Sequence, residues 1–138
     1  MADPTSIAGL VSASVGLADR IYHYASSFKN APKCVVDLGT EVTAVSRVLA
    51  MLRDFLQLED TNQRTFEKTS LLFSAADGCN RRLQDIDNIL RPLVSGSKTS
   101  RFVYRLKWPL DEDDTIQEME ALHRYAQLFE FALNIDGL

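Results

Sequence analysis

The chain has 138 residues, of which 46% are hydrophobic and 25% charged; this composition suits one folded domain and excludes extensive disorder. Its net charge of -4 argues against a nucleic-acid partner, because proteins that neutralise phosphates usually carry a basic surplus. Cys34 and Cys79 match no metal-ligand spacing and are expected to be reduced thiols. We therefore predict a single domain over residues 1–138 in a cytoplasmic protein.

The first predicted helix covers residues 4–28. Asp3 and Pro4 are residue types that begin helices, and apolar residues follow at helical spacing. Residues 5–18 carry no charge. This run lacks the basic start of a signal peptide and is shorter than the ~20 apolar residues of a membrane span. We therefore interpret it as neither.

Two long helices are predicted next, the first of them starting at Pro32 after the Asn30-Ala31-Pro32 break. Its apolar positions alternate between steps of three and four: Val35, Leu38, Val42, Val45, Leu49, Leu52 and Leu56. Three more residues widen this seam into the stripe of a bundle helix: Val48, Met51 and Phe55. The next helix repeats the spacing: Leu72, Ala76, Cys79, Leu83, Ile86, Leu90 and Leu93. It is expected to run antiparallel to its predecessor. Gly78 weakens this helix by about 1 kcal/mol relative to alanine, which is tolerable where a neighbouring helix needs close approach.

The C-terminal part predicts a short helix and a last long one. Residues 101–108 (RFVYRLKW) fit a short helix, and Trp108-Pro109 breaks it. Carboxylates then occupy the opening of the last helix, which is predicted to end near Gly137: Asp111, Glu112, Asp113 and Asp114. Its apolar face is predicted to contain Met119, Leu122, Ala126, Phe129 and Leu133. The expected fold is all-α, an up-down bundle of four long helices with one short extra helix.

No catalytic, metal or cofactor constellation is recognisable. His23 and His123 lie on different predicted helices, and neither has a ligand residue at the spacing of a helical metal site. The acidic run from Asp111 lacks the alternating ligands and central glycine of a calcium loop. We therefore expect a protein that is not an enzyme and needs no cofactor.

One concentrated basic and aromatic segment precedes the acidic run. It contains Arg101, Phe102, Tyr104, Arg105, Lys107 and Trp108. One interpretation is a lipid-facing patch at a membrane interface. The other is that the aromatic residues pack on the bundle while the charges offset the acidic run.

The first helix is unusual because small residues surround nearly its whole circumference. They are Ala8, Gly9, Ser12, Ala13, Ser14, Gly16 and Ala18. Gly9-x-x-x-Ala13 and Ser12-x-x-x-Gly16 are pairs that let helices approach closely in membranes or oligomers. Either this helix has a role in assembly, or it is the central helix of its own bundle.

Several strings resemble the HeLo-like family, the fungal N-terminal domains that precede nucleotide-binding and repeat regions in NLR-type immune receptors. The resemblance spans nearly the whole chain. It is carried by residues 2–11 (ADPTSIAGLV), 28–33 (FKNAPK), the helix over 41–52, 106–110 (LKWPL) and 129–133 (FEFAL).

The resemblance implies a cell-death or innate-defence domain, in which oligomerisation exposes an N-terminal helix that damages the plasma membrane. The matching membrane or assembly positions are Ile7, Gly9, Leu10, Val11, Ala13, Val15, Gly16 and Leu17. The serine and glycine content of this run departs from a strongly hydrophobic segment. The alternative function is therefore a homotypic interaction module that relays assembly of an attached receptor without entering lipid. Expected partners are other copies of the chain, membrane lipid and downstream receptor domains, with recruitment to the plasma membrane on activation.

Overall fold

The stretches with three-and-four apolar spacing form the helices of the computed structural model, which describes residues 7–27, 31–58, 70–94 and 108–136. The helices are α1 (Ile7–Ser27), α2 (Lys33–Leu58), α3 (Ser70–Val94) and α4 (Glu112–Asp136). No β-strand occurs within these four ranges, so the all-α prediction is confirmed for them. The predicted short helix lies outside the described residues except for Trp108, which is not helical. The predicted helix ends at Asp3, Pro4 and Gly137 also lie outside them.

The predicted seams form one core. All six described seam residues of α2 are fully buried: Val35, Leu38, Val42, Val45, Leu49 and Leu52. The core members from α3 and α4 include Ala76, Cys79, Leu83, Ile86, Leu90, Leu122, Ala126 and Phe129. One of the residues expected to widen the α2 seam does not reach the core, because Met51 is 61% exposed. Val48 and Phe55 are partly buried against it.

The helices form a ring in the order α1, α2, α4, α3. Direct packing joins α1 to α2, α2 to α4, α4 to α3 and α3 to α1. The α2–α3 pair is therefore a diagonal of the bundle. The two helices that follow each other in the chain, α2 and α3, are therefore not neighbours in the ring.

Specific contacts fix the helix directions. Arg82 on α3 contacts Glu118 on α4, and Gly78 lies against Tyr125, so the residue number rises along one helix as it falls along the other. The α3–α4 pair is therefore antiparallel.

Two glycines allow close approach between helices. A Cβ atom on Gly39 of α2 would lie 3.0 Å from Ile21 Cγ2 of α1. On Gly78 of α3, it would lie only 2.2 Å from the Tyr125 hydroxyl of α4. Gly78 therefore lies where a neighbouring helix approaches closely, the situation in which a glycine inside a helix is tolerable.

The acidic run begins α4 as predicted. The backbone N–H of Asp114 donates to Asp111 Oδ1 at 2.7 Å, so the Asp111 side chain caps the helix. The carboxylates of Glu112, Asp113 and Asp114 occupy the first turn, where the helix dipole stabilises negative charge.

Candidate functional site

Helix α1 has two contrasting faces. Its inner face is buried in the core and comprises Ile7, Leu10, Val11, Ser14, Leu17, Ile21 and Tyr24. The buried Ser14 hydroxyl on this face is satisfied, because Ser14 Oγ donates to the Val11 carbonyl oxygen at 3.0 Å. The apolar residues of the inner face are thus a structural part of the bundle in this conformation.

The outer face of α1 is made of small residues. Ala8, Ser12, Ala13 and Val15 are exposed, and Gly9 and Gly16 are half-buried. The eight predicted membrane or assembly positions therefore divide between the two faces. Four lie in the core: Ile7, Leu10, Val11 and Leu17. The other four are wholly or partly accessible without unfolding: Gly9, Ala13, Val15 and Gly16.

A groove of about 450 Å³ lies on the surface where α1 and α3 pack against each other. Gly9, Ser12 and Ala13 line it from α1, and Asn80 and Gln84 line it from α3. Because glycine has no side chain and those of serine and alanine are small, the α1 backbone lies near the groove surface at these three positions. A helix seated there would approach closely.

Two arginines and one aspartate form the charged end of this groove. Arg20 Nη2 lies 2.7 Å from Asp87 Oδ1, and Arg91 Nη2 contacts the second oxygen of the same carboxylate. The Asp87 side chain is mostly buried, whereas both arginine side chains are largely accessible. Two guanidinium groups share one carboxylate, which leaves one positive charge in excess. This end of the groove suits an additional carboxylate or another anion.

Asn80 is the notable polar residue of the groove. It is only 9% exposed, and within the described ranges its amide forms no hydrogen bond. No fully buried side-chain nitrogen or oxygen in the described part of the chain lacks a partner. The amide atoms of Asn80 must therefore keep contact with solvent at the groove surface, where they are available to a ligand. Sequence analysis missed Asn80, because a single asparagine among the other polar residues of an amphipathic helix carries no pattern of its own.

Trp108 is a core residue, which agrees with the interpretation that the aromatic residues of its segment pack on the bundle and not with a lipid-facing Trp108. It is 5% exposed, and its Nε1 donates to Thr115 Oγ1 at 2.9 Å. Its ring centroid lies 6.1 Å from that of Tyr24. Trp108 therefore joins the end of α1 to the start of α4 and does not face lipid in this conformation. The other five patch residues lie outside the described ranges: Arg101, Phe102, Tyr104, Arg105 and Lys107.

Replacing Thr115 with valine is expected to lower the free energy of unfolding by about 1–3 kcal/mol, because the buried Trp108 N–H loses its acceptor. Thr115→Ser keeps the hydroxyl and is expected to lower the free energy of unfolding by less than about 1 kcal/mol. Urea unfolding of both variants measures the difference. Equal stability of the two variants would contradict a role for this hydrogen bond.

The described residues hold no cluster of three or more potential metal ligands. His123 Nδ1 lies 3.6 Å from Glu41 Oε2, which is a surface contact between α4 and α2. Both Cys34 and Cys79 are free thiols. Among the helices in the described ranges, none combines the length and the apolar character that crossing a membrane requires.

Comparisons of the chain with protein-family models, with curated proteins and with solved structures found no match. Any assignment of function therefore depends on the residues and the geometry described above.

Proposed function

We propose that this chain is a HeLo-like effector domain of a fungal NLR-type receptor, which self-associates and perturbs membranes through α1. The observation that supports this function is the charge distribution along α1. Residues 7–18, the first three turns of the helix, contain no charged side chain. None of the other three described helices has an uncharged opening of this length.

Releasing α1 from the bundle has a large energetic cost. Leu10, Leu17 and Ile21 are fully buried, and each such side chain contributes about 1.5–3 kcal/mol when it leaves water. With the remaining inner-face residues, release exposes apolar surface worth on the order of 10 kcal/mol. The released apolar side chains must therefore be covered by lipid instead of by the bundle. The proposed action of α1 consequently requires a membrane.

The length of the uncharged segment determines how α1 would bind lipid. Residues 7–18 span about 18 Å as a helix, against about 30 Å for the hydrocarbon core of a bilayer. The proposed binding mode is therefore insertion into the interface, parallel to the membrane plane.

The test is dye leakage from anionic liposomes with a charge placed on the outer face of α1. Val15 is 53% exposed, so Val15→Asp leaves the bundle folded. We expect severalfold less leakage, because Val15 belongs to the uncharged segment that must enter the membrane interface, and a carboxylate within that segment resists leaving water. Leu10 is unsuitable for this test, since an aspartate in the core would unfold the domain.

Thr40→Asp is the matched control, because it adds the same charge at an exposed position of α2. We expect the Thr40→Asp variant to cause as much dye leakage from the liposomes as the unmodified chain does. Equal leakage by Val15→Asp and Thr40→Asp, or no leakage by the unmodified chain at micromolar concentration, would refute the membrane function.

A second candidate function is a homotypic module that relays receptor assembly with α1 still packed. The α1–α3 groove favours it, because this surface is formed only when both helices are in place. Hydrogen exchange on the assembled domain separates the two functions. If the backbone amides from Gly9 to Leu17 stay protected from exchange, α1 remains packed and the homotypic module is supported. If they lose this protection, α1 has left the bundle and the membrane function is supported.

A further inference from the structure

We propose that the α1–α3 groove binds the acidic half of α4 from a second copy of this chain. The inference rests on the self-association that both candidate functions require. It names the two surfaces that meet, and it requires α1 to be packed when the first contact forms.

The groove offers three kinds of contact in a row. The Arg20–Asp87–Arg91 cluster supplies the excess positive charge at one end. The Asn80 amide supplies a hydrogen-bonding group at the other. Between them, small α1 residues such as Ala13 leave room for an apolar side chain.

The first half of α4 has the complementary chemistry. It carries five acidic residues and no basic residue before His123: Glu112, Asp113, Asp114, Glu118 and Glu120. Asp113, Gln117 and Glu120 are exposed at the spacing of one helix face. Ile116 is adjacent to this face and is 38% exposed, so an apolar side chain accompanies the carboxylates.

The spacing of the two surfaces matches. Asn80 and Asp87 are two helical turns apart on α3, about 10.5 Å along the axis. Asp113 and Glu120 are separated by the same two turns on α4. If the second copy's α4 lies antiparallel to α3, Asp113 meets the two arginines while Glu120 accepts a hydrogen bond from the Asn80 amide. Ile116 then covers the small residues of α1.

This contact must be intermolecular. Within one chain, α4 packs beside α2 and α3 and lies diagonally from α1, with Asp113 and Glu120 exposed to solvent. The groove and its ligand are therefore on different surfaces of the same molecule. One copy can donate its α4 face to a neighbour while its own groove accepts another.

The experiment uses sedimentation of the full chain with two neutralising variants, Arg91→Gln in the groove and Asp113→Asn/Glu120→Gln on α4. Each variant alone is expected to raise the dissociation constant of self-association on the order of tenfold or more. An equimolar mixture retains one intact groove and one intact α4 face per pair. It should therefore form one-to-one heterodimers with nearly unmodified affinity.

Arg47→Gln is the control, because Arg47 is an exposed arginine of α2 outside the groove. Self-association that is unchanged in both neutralised variants overturns the groove contact, and it leaves the proposed function standing if liposomes still leak. Reduced liposome binding by Arg91→Gln with unchanged self-association would also overturn it, since the arginines would then contact lipid phosphate.

Asn80→Leu supplies an independent measurement. Because the Asn80 side chain is only 9% exposed, an apolar side chain of similar size is expected to raise Tm by roughly 2–4 °C through added hydrophobic burial, while self-association weakens severalfold. An asparagine with only a structural role would lose stability on this substitution. A lower Tm with unchanged self-association would contradict the assignment of Asn80 to the contact.

Discussion

Replacing Gly78 with alanine is expected to destabilise the bundle by about 1 kcal/mol. A Cβ atom there would lie 2.2 Å from the Tyr125 hydroxyl and 2.7 Å from Cζ, so the half-buried ring must move. Overpacking of this kind costs about 1–3 kcal/mol, which exceeds the gain of about 1 kcal/mol in helix propensity. The free energy of unfolding from urea titration gives the result directly.

The effect of Gly78→Ala on the free energy of unfolding is expected to change sign when the Tyr125 ring is absent. In a Tyr125→Ala background, Gly78→Ala meets no ring and should stabilise the domain by about 1 kcal/mol. Gly16→Ala is a control in the unmodified chain, because a Cβ there would meet only the flexible end of Arg20, at 3.3 Å. Loss of stability by Gly78→Ala in both backgrounds would show that Tyr125 is not the obstacle.

The domain is expected to lose stability steeply above pH 9 because of Cys79. Burial raises the pKa of this thiol from 9.0 to about 12. The thiol therefore loses its proton at lower pH in the unfolded chain than in the folded chain. Its contribution to the free energy of unfolding is complete below pH 9 and is lost as the pH rises towards 12. The expected loss is roughly 1.4 kcal/mol per pH unit, reaching about 4 kcal/mol near pH 12. Urea unfolding from pH 8 to pH 11 covers most of this range.

A Cys79→Ala variant separates this thiol from the other groups that ionise at high pH, including Tyr24, whose pKa burial also raises. The variant should lose less stability per pH unit than the unmodified chain. Cys34→Ala, which removes a half-buried thiol, should retain the full loss. Parallel pH profiles for Cys79→Ala and the unmodified chain would contradict this account.

The helices were predictable because their apolar spacing is long and regular. The seam of α2 from Val35 to Leu52 is buried at every predicted position. Ser14 is buried with Leu10 and Leu17, because it stands at their helical spacing on the inner face of α1. The neighbours of each helix were not predictable, since a three-and-four seam identifies a buried face without indicating which helix covers it.

The candidate site was predictable only in part. The small residues of α1 were identified, but the groove also requires Asn80, Asp87 and Arg91 from a helix more than sixty residues away in the chain. Trp108 was placed with its basic neighbours because they are adjacent in sequence. Its burial depends on Thr115 and Tyr24, a hydrogen bond and a ring contact that no local pattern reveals.

The position of Trp108 makes the domain its own optical reporter. It is the only tryptophan in the chain, and it lies between the Tyr24 ring of α1 and the Thr115 hydroxyl of α4. Departure of α1 would remove one wall of its surroundings and admit water. The indole emission would then shift to longer wavelength, so fluorescence follows the position of α1 in solution or on vesicles without an added label.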